Sequence, residues 1–254
     1  MAAIGHAHAT WSVAAINPNT GTIGIAAASC SGGVYGIQAV LPGKGAVVVQ
    51  AESNADARQT ALAMLREGLP PDAILATIAD PASRYAPQRQ QYALLVAGSD
   101  ARPRTYTGVE VPDFKGSVVG DNVSVQGNTM ASADVLATTF AALGDANWAD
   151  DIAMARALMQ AIQAGAAAGG DRRCGKAASN TAFVSLHRIG DSPDAPWVEL
   201  AVGRIPVGEA SGTEALEALF EDWLRGGTAR ASTRVFVVPS TDEPATPVRV
   251  SGRR

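Results

Sequence analysis

Few residues of this chain could run covalent chemistry, and their types narrow the options. It has three histidines, His6, His8 and His187, and two cysteines, Cys30 and Cys174. A Ser-His-Asp or Cys-His mechanism needs an imidazole to take the nucleophile's proton. Only His187 lies within the body of the chain, and no G-x-S-x-G elbow presents a serine to it. His6 and His8, spaced i and i+2, could touch one ion. A metal site needs three or four ligands, however, and no thiol or carboxylate stands beside them. They read as an exposed terminus, and no metal is expected. Cys30 ends a strand-like run and reads as a packed or disulfide-bonded cysteine sooner than as a nucleophile. One disulfide and two buried thiols both fit two cysteines, and the sequence does not choose between them.

The segment GDRRCGKA, residues 170–177, nearly matches the phosphate-cradling G-x-x-x-x-G-K-[ST] loop. Ala177 stands where a Mg²⁺-binding hydroxyl is required, and a helical pattern rather than a strand precedes the loop, so nucleotide binding is set aside. The glycines instead suit a helix end. Asp171, Arg172 and Arg173 at its tip form a charge cluster in a chain this apolar, which makes them site candidates. In GDNVSVQGNTM, residues 120–130, alternation leaves Ser124, Gln126 and Asn128 on one strand face. Solvated, that face is ordinary; buried over a cleft, its carboxamides are neutral donors suited to a developing oxyanion.

One more residue has conditional chemistry. Thr10 opens the strand-like run TWSVAAI behind nine small, loosely patterned residues. Inside a chain it is an ordinary strand residue. If the nine were removed, its hydroxyl would sit beside a free α-amine. The AHA before Thr10 has the small-x-small look of a signal-peptidase site, yet no charged n-region or apolar h-region precedes it. The chain therefore reads as cytoplasmic as written, and as periplasmic or secreted if residues 1–9 are the stub of a signal peptide.

These residues need a scaffold, and the composition supplies one. The 254 residues are 47% hydrophobic and 17% charged, with 26 glycines and 14 prolines, which describes a globular chain with many turns. A net charge of -4 gives no basic surface for nucleic acid or an anionic membrane. No apolar run approaches the roughly 20 residues that span a bilayer. Residues 10–16 and 22–29 read as a hairpin across NPNTG. GAVVVQAES is a third strand, and Asn54 caps a helix that ends at Gly68. Pro71 and Asp72 open a short helix to about residue 79. Strands are expected near 91–97, 104–108 and 117–126, and helices over 132–143 and 148–164. The strands SNTAFVSLHRI and PWVELAVG follow, then the amphipathic helix GTEALEALFEDWLRGG. From residue 226 onward a tail or an extra edge strand is expected, built on RVFVV. Strands, helices and tight hairpins in this order favour antiparallel neighbours over βαβ alternation. An α+β fold with two sheets face to face and helices outside fits best.

Four segments in this order, TWSVAAINPNTGTIGIAAASC, GAVVVQAESNADARQTALAMLREGL, NVSVQGNTM and AGGDRRCGKAASNTAFVSL, carry a resemblance across roughly residues 10–225. The chain resembles a bacterial family catalogued as a domain of unknown function and placed in the N-terminal nucleophile (Ntn) hydrolase superfamily, which includes the proteasome subunits. Thr10 to Ala15 match the family's Thr-Phe-Ser-Ile-Val-Ala opening, and Asn17 to Gly21 match its acidic-Pro-x-Thr-Gly turn. The resemblance implies a four-layer αββα sandwich of two mainly antiparallel sheets. It also implies amide hydrolysis through an acyl-enzyme ester, without a cofactor, on a small-molecule or peptide-like substrate.

In that scheme the first residue's hydroxyl attacks and its own α-amine, with a pKa near ~7.7–8.0, takes the proton. Thr10 is then the catalytic nucleophile, with Asn128 and Asp171 beside it. Ser29, Gln50, Gln126 and Arg172 are expected to bind or orient the substrate. Residues 1–9 are a leader to be removed, residues 10–225 the hydrolase-like domain, and residues 226–254 the tail. A homo-oligomer is expected, since such sandwiches commonly associate. The AHA ending fits an exported member, and a Cys30–Cys174 disulfide would suit that compartment. The alternative is a binding or assembly module that keeps the fold without an exposed amine.

Overall fold

The computed structural model describes residues 9–98, 102–206, 210–237 and 247–251. The expected leader, apart from Ala9, lies outside them, and so do His6 and His8.

The first half of the chain runs β1 (Thr10–Ile16), β2 (Ile23–Ser29), β3 (Gln38–Leu41), β4 (Gly45–Ala51), α1 (Ala55–Arg66), α2 (Pro71–Ile78), β5 (Gln90–Val96), β6 (Arg104–Thr107), β7 (Gly116–Val119) and β8 (Val123–Asn128). The second half runs α3 (Asp134–Ala141), α4 (Asp151–Ala167), β9 (Thr181–His187), β10 (Val198–Gly203), α5 (Gly212–Arg225), β11 (Ala231–Val237) and β12 (Pro247–Ser251). The fold is mixed α and β with two sheets. The large sheet has the order β12-β11-β10-β9-β2-β1-β8-β7 and the small one β3-β4-β5-β6. Every pairing is antiparallel except β10 with β11.

Three apolar cores hold these elements, and strand alternation decides which residue enters which core. Trp11, Val13 and Ala15 on one face of β1 join Met154, Leu158 and Ile162 of α4 and Leu216 and Phe220 of α5. The opposite face sends Ala14, Ile23, Ile25 and Phe183 against Val40, Ala46, Val48 and Leu95 of the small sheet. The far face of the small sheet, through Val47, Val49 and Tyr92, meets Ala61, Leu65, Ile74 and Ile78 of α1 and α2. β1 and β2 are therefore buried on both sides, which is why they read as unbroken apolar or small runs. α4 lies close against β1 because Gly165 has no side chain. A Cβ there would come within 2.6 Å of Trp11 Nε1 and 2.4 Å of Thr139 Oγ1.

Several boundaries differ from the sequence expectation for local reasons. The single strand expected over 117–126 is the hairpin of β7 and β8, folded at Gly120, Asp121 and Asn122, whose types favour turns. The long helix begins at Asp151 rather than 148, because the Asp150 carboxylate accepts from the Ala153 N–H at 2.8 Å and so caps it. β3 was not anticipated, since four residues carry too short a pattern. The first four residues of the tail's RVFVV run, Arg234 to Val237, lie in β11, which adds to the large sheet beside β10.

Candidate active site

β1 sits near the middle of the large sheet, and its first residue lies in one row with the ends of both neighbours. Thr10 is in register with Ser29 of β2 and with Asn128 of β8. Side-chain alternation turns Thr10 and Ser12 toward the small sheet, opposite Trp11. A cavity of about 610 Å³ opens at this row, lined by Thr10, Ser31, Glu52, Arg84, Tyr85 and Arg89 among others. Glu52 and Arg89 pair across it at 3.0 Å.

The peptide joining Ala9 to Thr10 is itself buried, with Ala9 0% and Thr10 1% exposed. Its carbonyl oxygen accepts two hydrogen bonds, one from Ser29 Oγ and one from Arg173 Nη2 at 3.3 Å. A hydroxyl and a guanidinium converging on one carbonyl polarise it toward attack, the arrangement that stabilises a developing oxyanion.

Arg173 is held by Asp171. The Asp171 carboxylate is fully buried and accepts from Cys30 N–H at 2.6 Å and from Arg173 N–H, Nε and Nη2 at 3.0, 3.1 and 2.7 Å. A buried charge is stable only when so compensated. Arg172, the arginine expected to bind or orient the substrate, is exposed; its neighbour Arg173 reaches the peptide. The loop carrying both is tied to the end of β2 by a Cys30–Cys174 disulfide, S–S 2.06 Å. Bonded this way, Cys30 has no thiolate to offer.

Behind Thr10 the two sheets face each other through carboxamides and hydroxyls. Gln50 Nε2 donates to the Thr10 carbonyl at 3.2 Å, and Asn128 Nδ2 approaches it at 3.5 Å. Both also donate to Gln91 Oε1, at 2.8 and 3.4 Å. Gln91 Nε2 donates in turn to the Gly127 carbonyl at 3.1 Å. Further in, Ser124 Oγ donates to Gln126 Oε1 at 2.7 Å, Gln126 Nε2 to Ser12 Oγ at 2.5 Å, and Ser12 Oγ to Gln50 Oε1 at 2.6 Å. Gln126 thus stands behind the row rather than at the mouth, and reaches it only through Ser12 and Gln50.

Of the residues named from the sequence, the structure brings Thr10, Ser29, Asn128, Gln50 and Asp171 together and leaves Gln126 behind and Arg172 outside. Sequence reasoning missed Gln91 and Ser12, and gave the orienting role to Arg172 where Arg173 of the same charge cluster takes it. Gln91 falls directly opposite Gln50 only through the pairing of β4 with β5, strands that α1 and α2 separate in the chain. His187 lies at the other end of the large sheet. It is in register with Ile23, six residues along β2 from Ser29, which puts it about 20 Å from the Thr10 row at roughly 3.3 Å per residue. Among the described residues no three His, Cys, Asp or Glu side chains gather to hold a metal, and no helix is long and apolar enough to cross a membrane.

With this geometry in place, comparison with known proteins gives a consistent placing. A family model described as "Family of unknown function (DUF1028)" matches residues 10–207. The crystal structure of a DUF1028 protein from Silicibacter pomeroyi superposes with a TM-score of 0.67 at 26% identity, covering 85% of this chain and 86% of that one. Anbu from Hyphomicrobium sp. strain MC1 gives a TM-score of 0.41 at 13% identity, covering 92% of this chain and 100% of that one. None of the curated proteins matches the chain.

Proposed function

The chain belongs to the DUF1028 family, and from that premise we propose that it is an N-terminal-threonine hydrolase of amide bonds, made competent by cleavage of its own Ala9–Thr10 peptide. The observation that carries the reading is the Ala9 carbonyl, which receives Ser29 Oγ and Arg173 Nη2 at the first residue of a central strand. Two sheets meeting face to face, with helices on the outer face of each, fit the αββα sandwich of the Ntn hydrolases.

Processing would run as an acyl shift. Thr10 Oγ1 attacks the Ala9 carbonyl carbon, and the negative charge that gathers on its oxygen is met by Ser29 and Arg173. Collapse breaks the C–N bond, the hydroxyl proton passes to the departing nitrogen, and an ester to Thr10 Oγ1 remains. Water hydrolyses that ester, leaving a free threonine amine. In turnover the amine takes the Thr10 hydroxyl proton as Oγ1 attacks the substrate amide, then gives it to the leaving amine. A second water hydrolyses the acyl-enzyme. Asn128 and Gln50 hold the Thr10 carbonyl, and so the strand end, in place. Asp171 positions Arg173. The cavity of about 610 Å³ suits a small or peptide-like amide.

A binding or assembly module is the second reading, favoured by the burial of Ala9 and Thr10 in the uncut chain. Intact mass and N-terminal sequencing of purified protein separate the two. The hydrolase reading expects a chain beginning at Thr10. Thr10→Ala should stay uncut and lose at least ~10³-fold in turnover, the scale of losing a nucleophile, while Thr10→Ser cuts and retains part of it. An uncut wild-type chain that hydrolyses amides at full rate would overturn the mechanism; an uncut and inert one would leave the module.

A further inference from the structure

The inner face of the large sheet runs on past the edge of the small one, and there its chemistry changes. Under cover it is Ile23, Ile25, Ala27 and Phe183. Beyond β3, the small sheet's edge strand, the register places Ser185 beside Glu199 and Ser232, and Phe183 beside Ala201 and Arg234. Two residues past Ser185 on the same face is His187. His187 and Arg234 of this face line a cavity of about 400 Å³, together with Tyr35, Gln38, Gln59 and Asp194 among others. It lies at the opposite end of β9 from the Thr181 row and owes nothing to the threonine chemistry.

The polar groups of this cavity divide into those already paired and those left over. Glu199, 3% exposed, accepts from Tyr35 Oη and from Arg234 Nε at 2.6 Å. Arg234 also lies over the Tyr35 ring, 4.2 Å from its centroid. The guanidinium is thus fixed in direction with Nε committed, and among the described residues its two terminal nitrogens have no hydrogen bond, a fork that suits a planar anion. Ser185 Oγ donates to Gln38 Oε1 at 2.9 Å, which turns the Gln38 amide outward as a donor. On the rim, Asp194 is exposed and its carboxylate has no ion pair among the described residues.

His187 is the exception to the pairing. It is 4% exposed, and neither Nδ1 nor Nε2 has a hydrogen-bond partner among the described residues. Buried polar groups are almost always satisfied, so an imidazole bare at both nitrogens and facing a cavity marks a missing partner. Burial pushes its pKa down to about 4, against the raising effect of Asp191 and Glu199. At neutral pH it therefore offers one N–H donor and one acceptor.

We propose that this cavity binds a small zwitterion of the α-amino acid class with a neutral polar side chain. The carboxylate lies on Arg234, the ammonium faces Asp194, and a carboxamide or hydroxyl meets His187. The charges set the class, since a cation alone would meet Arg234 and a simple anion would meet Asp194. The imidazole sets the side chain, because its neutral ring offers a donor at one nitrogen and an acceptor at the other, and a carboxamide or hydroxyl can pair with whichever of the two it meets.

Calorimetric titration of the full chain with glutamine, asparagine, serine and leucine tests this. Saturable binding at one site is expected, with the three polar amino acids at least tenfold tighter than leucine. His187→Leu should erase that tenfold preference and leave leucine binding as it was, Arg234→Gln should abolish binding of all four, and Thr10→Ala should change nothing. The ring nitrogens of His187, followed by ¹⁵N NMR in the wild-type chain, should shift on saturation with glutamine, a readout that needs no variant to fold. No saturation with any of the four, binding unaffected by His187→Leu, loss of binding in Thr10→Ala, or unmoved His187 nitrogens would each overturn it.

Discussion

The two ends of the large sheet's inner face use the same kinds of residue and finish them differently. At the Thr10 end, Gln50, Gln91, Asn128, Gln126 and Ser12 each bond to a neighbour, and the network ends on the backbone carbonyls of Thr10, Gly116 and Gly127. At the His187 end, Glu199, Tyr35 and Arg234 are bonded to one another, but the buried imidazole beside them has no hydrogen-bond partner among the described residues. A fully paired network fixes a geometry, because any displacement leaves a buried polar group unsatisfied. An unpaired group beside a cavity fixes nothing, and its unmet bond is what a ligand can supply. The first end is built to hold a peptide in place, the second to receive something from outside.

The largest test of that contrast removes what ties the Thr10 end together. The Cys30–Cys174 disulfide closes a loop of 144 residues, for which loss of the constraint on the unfolded chain is worth about 5 kcal/mol. Cys30→Ala with Cys174→Ala should lower stability by about that much, measured from urea unfolding midpoints. It should also slow Ala9–Thr10 cleavage, because the disulfide holds the loop that carries Asp171 and Arg173. Amino acid binding at the His187 end should survive wherever the variant is folded. If both ends fail together in folded protein, they are one site and the contrast collapses.

Gln91→Leu is smaller and more local. It strips the shared acceptor from Gln50 Nε2 and Asn128 Nδ2, and the donor from the Gly127 carbonyl. Unsatisfied buried groups cost ~1–3 kcal/mol each, so a loss of about 3 kcal/mol is expected, with the Thr10 carbonyl less firmly held. Cleavage followed by intact mass should slow at least tenfold. Gln91→Glu, which keeps the acceptor, should recover part of that rate. Cleavage at the wild-type rate in a folded Gln91→Leu chain would show that the network serves stability alone.

How much of this was legible in the sequence depended on range. Turn and cap residues such as Asn54 and Gly21 act within a few positions, and the elements they bound fell where expected. Thr10, Ser29 and Asn128 could be named through the segments that carry the family resemblance; the pairing of β1 with β2 and β8 is what sets them in one row. The choice between Arg172 and Arg173 could not be made, because it rests on which guanidinium Asp171 can reach across a 3₁₀ turn. Gln91 sat in a strand with no local oddity; only the pairing of β4 with β5 shows that it meets Gln50. The pocket at His187 was invisible for the same reason. It exists because the four-stranded sheet stops short of the eight-stranded one, a fact about two widths that no local pattern carries.

The smallest test uses pH to ask whether His187 is as isolated as the contrast requires. Its folded pKa of about 4 lies below the 6.5 of a free imidazole, so the unfolded chain binds the extra proton first as pH falls. Stability should be flat above about pH 7, decline as pH drops through 6.5, and level off near 4. Between pH 7 and pH 5 the decline assignable to this residue is about 2 kcal/mol, from the shift at ~1.4 kcal/mol per unit. Carboxylates also titrate near that range, so the quantity to measure is the difference between wild type and His187→Leu in urea midpoints at the two pH values. Asp191 and Glu199 act on the imidazole with negative charge, and Asp194 and Arg234 line the same cavity. A difference near zero would mean that these neighbours already satisfy the protonated ring. The imidazole would then belong to a paired network like the one at Thr10, and the two ends would differ in residue type but not in kind.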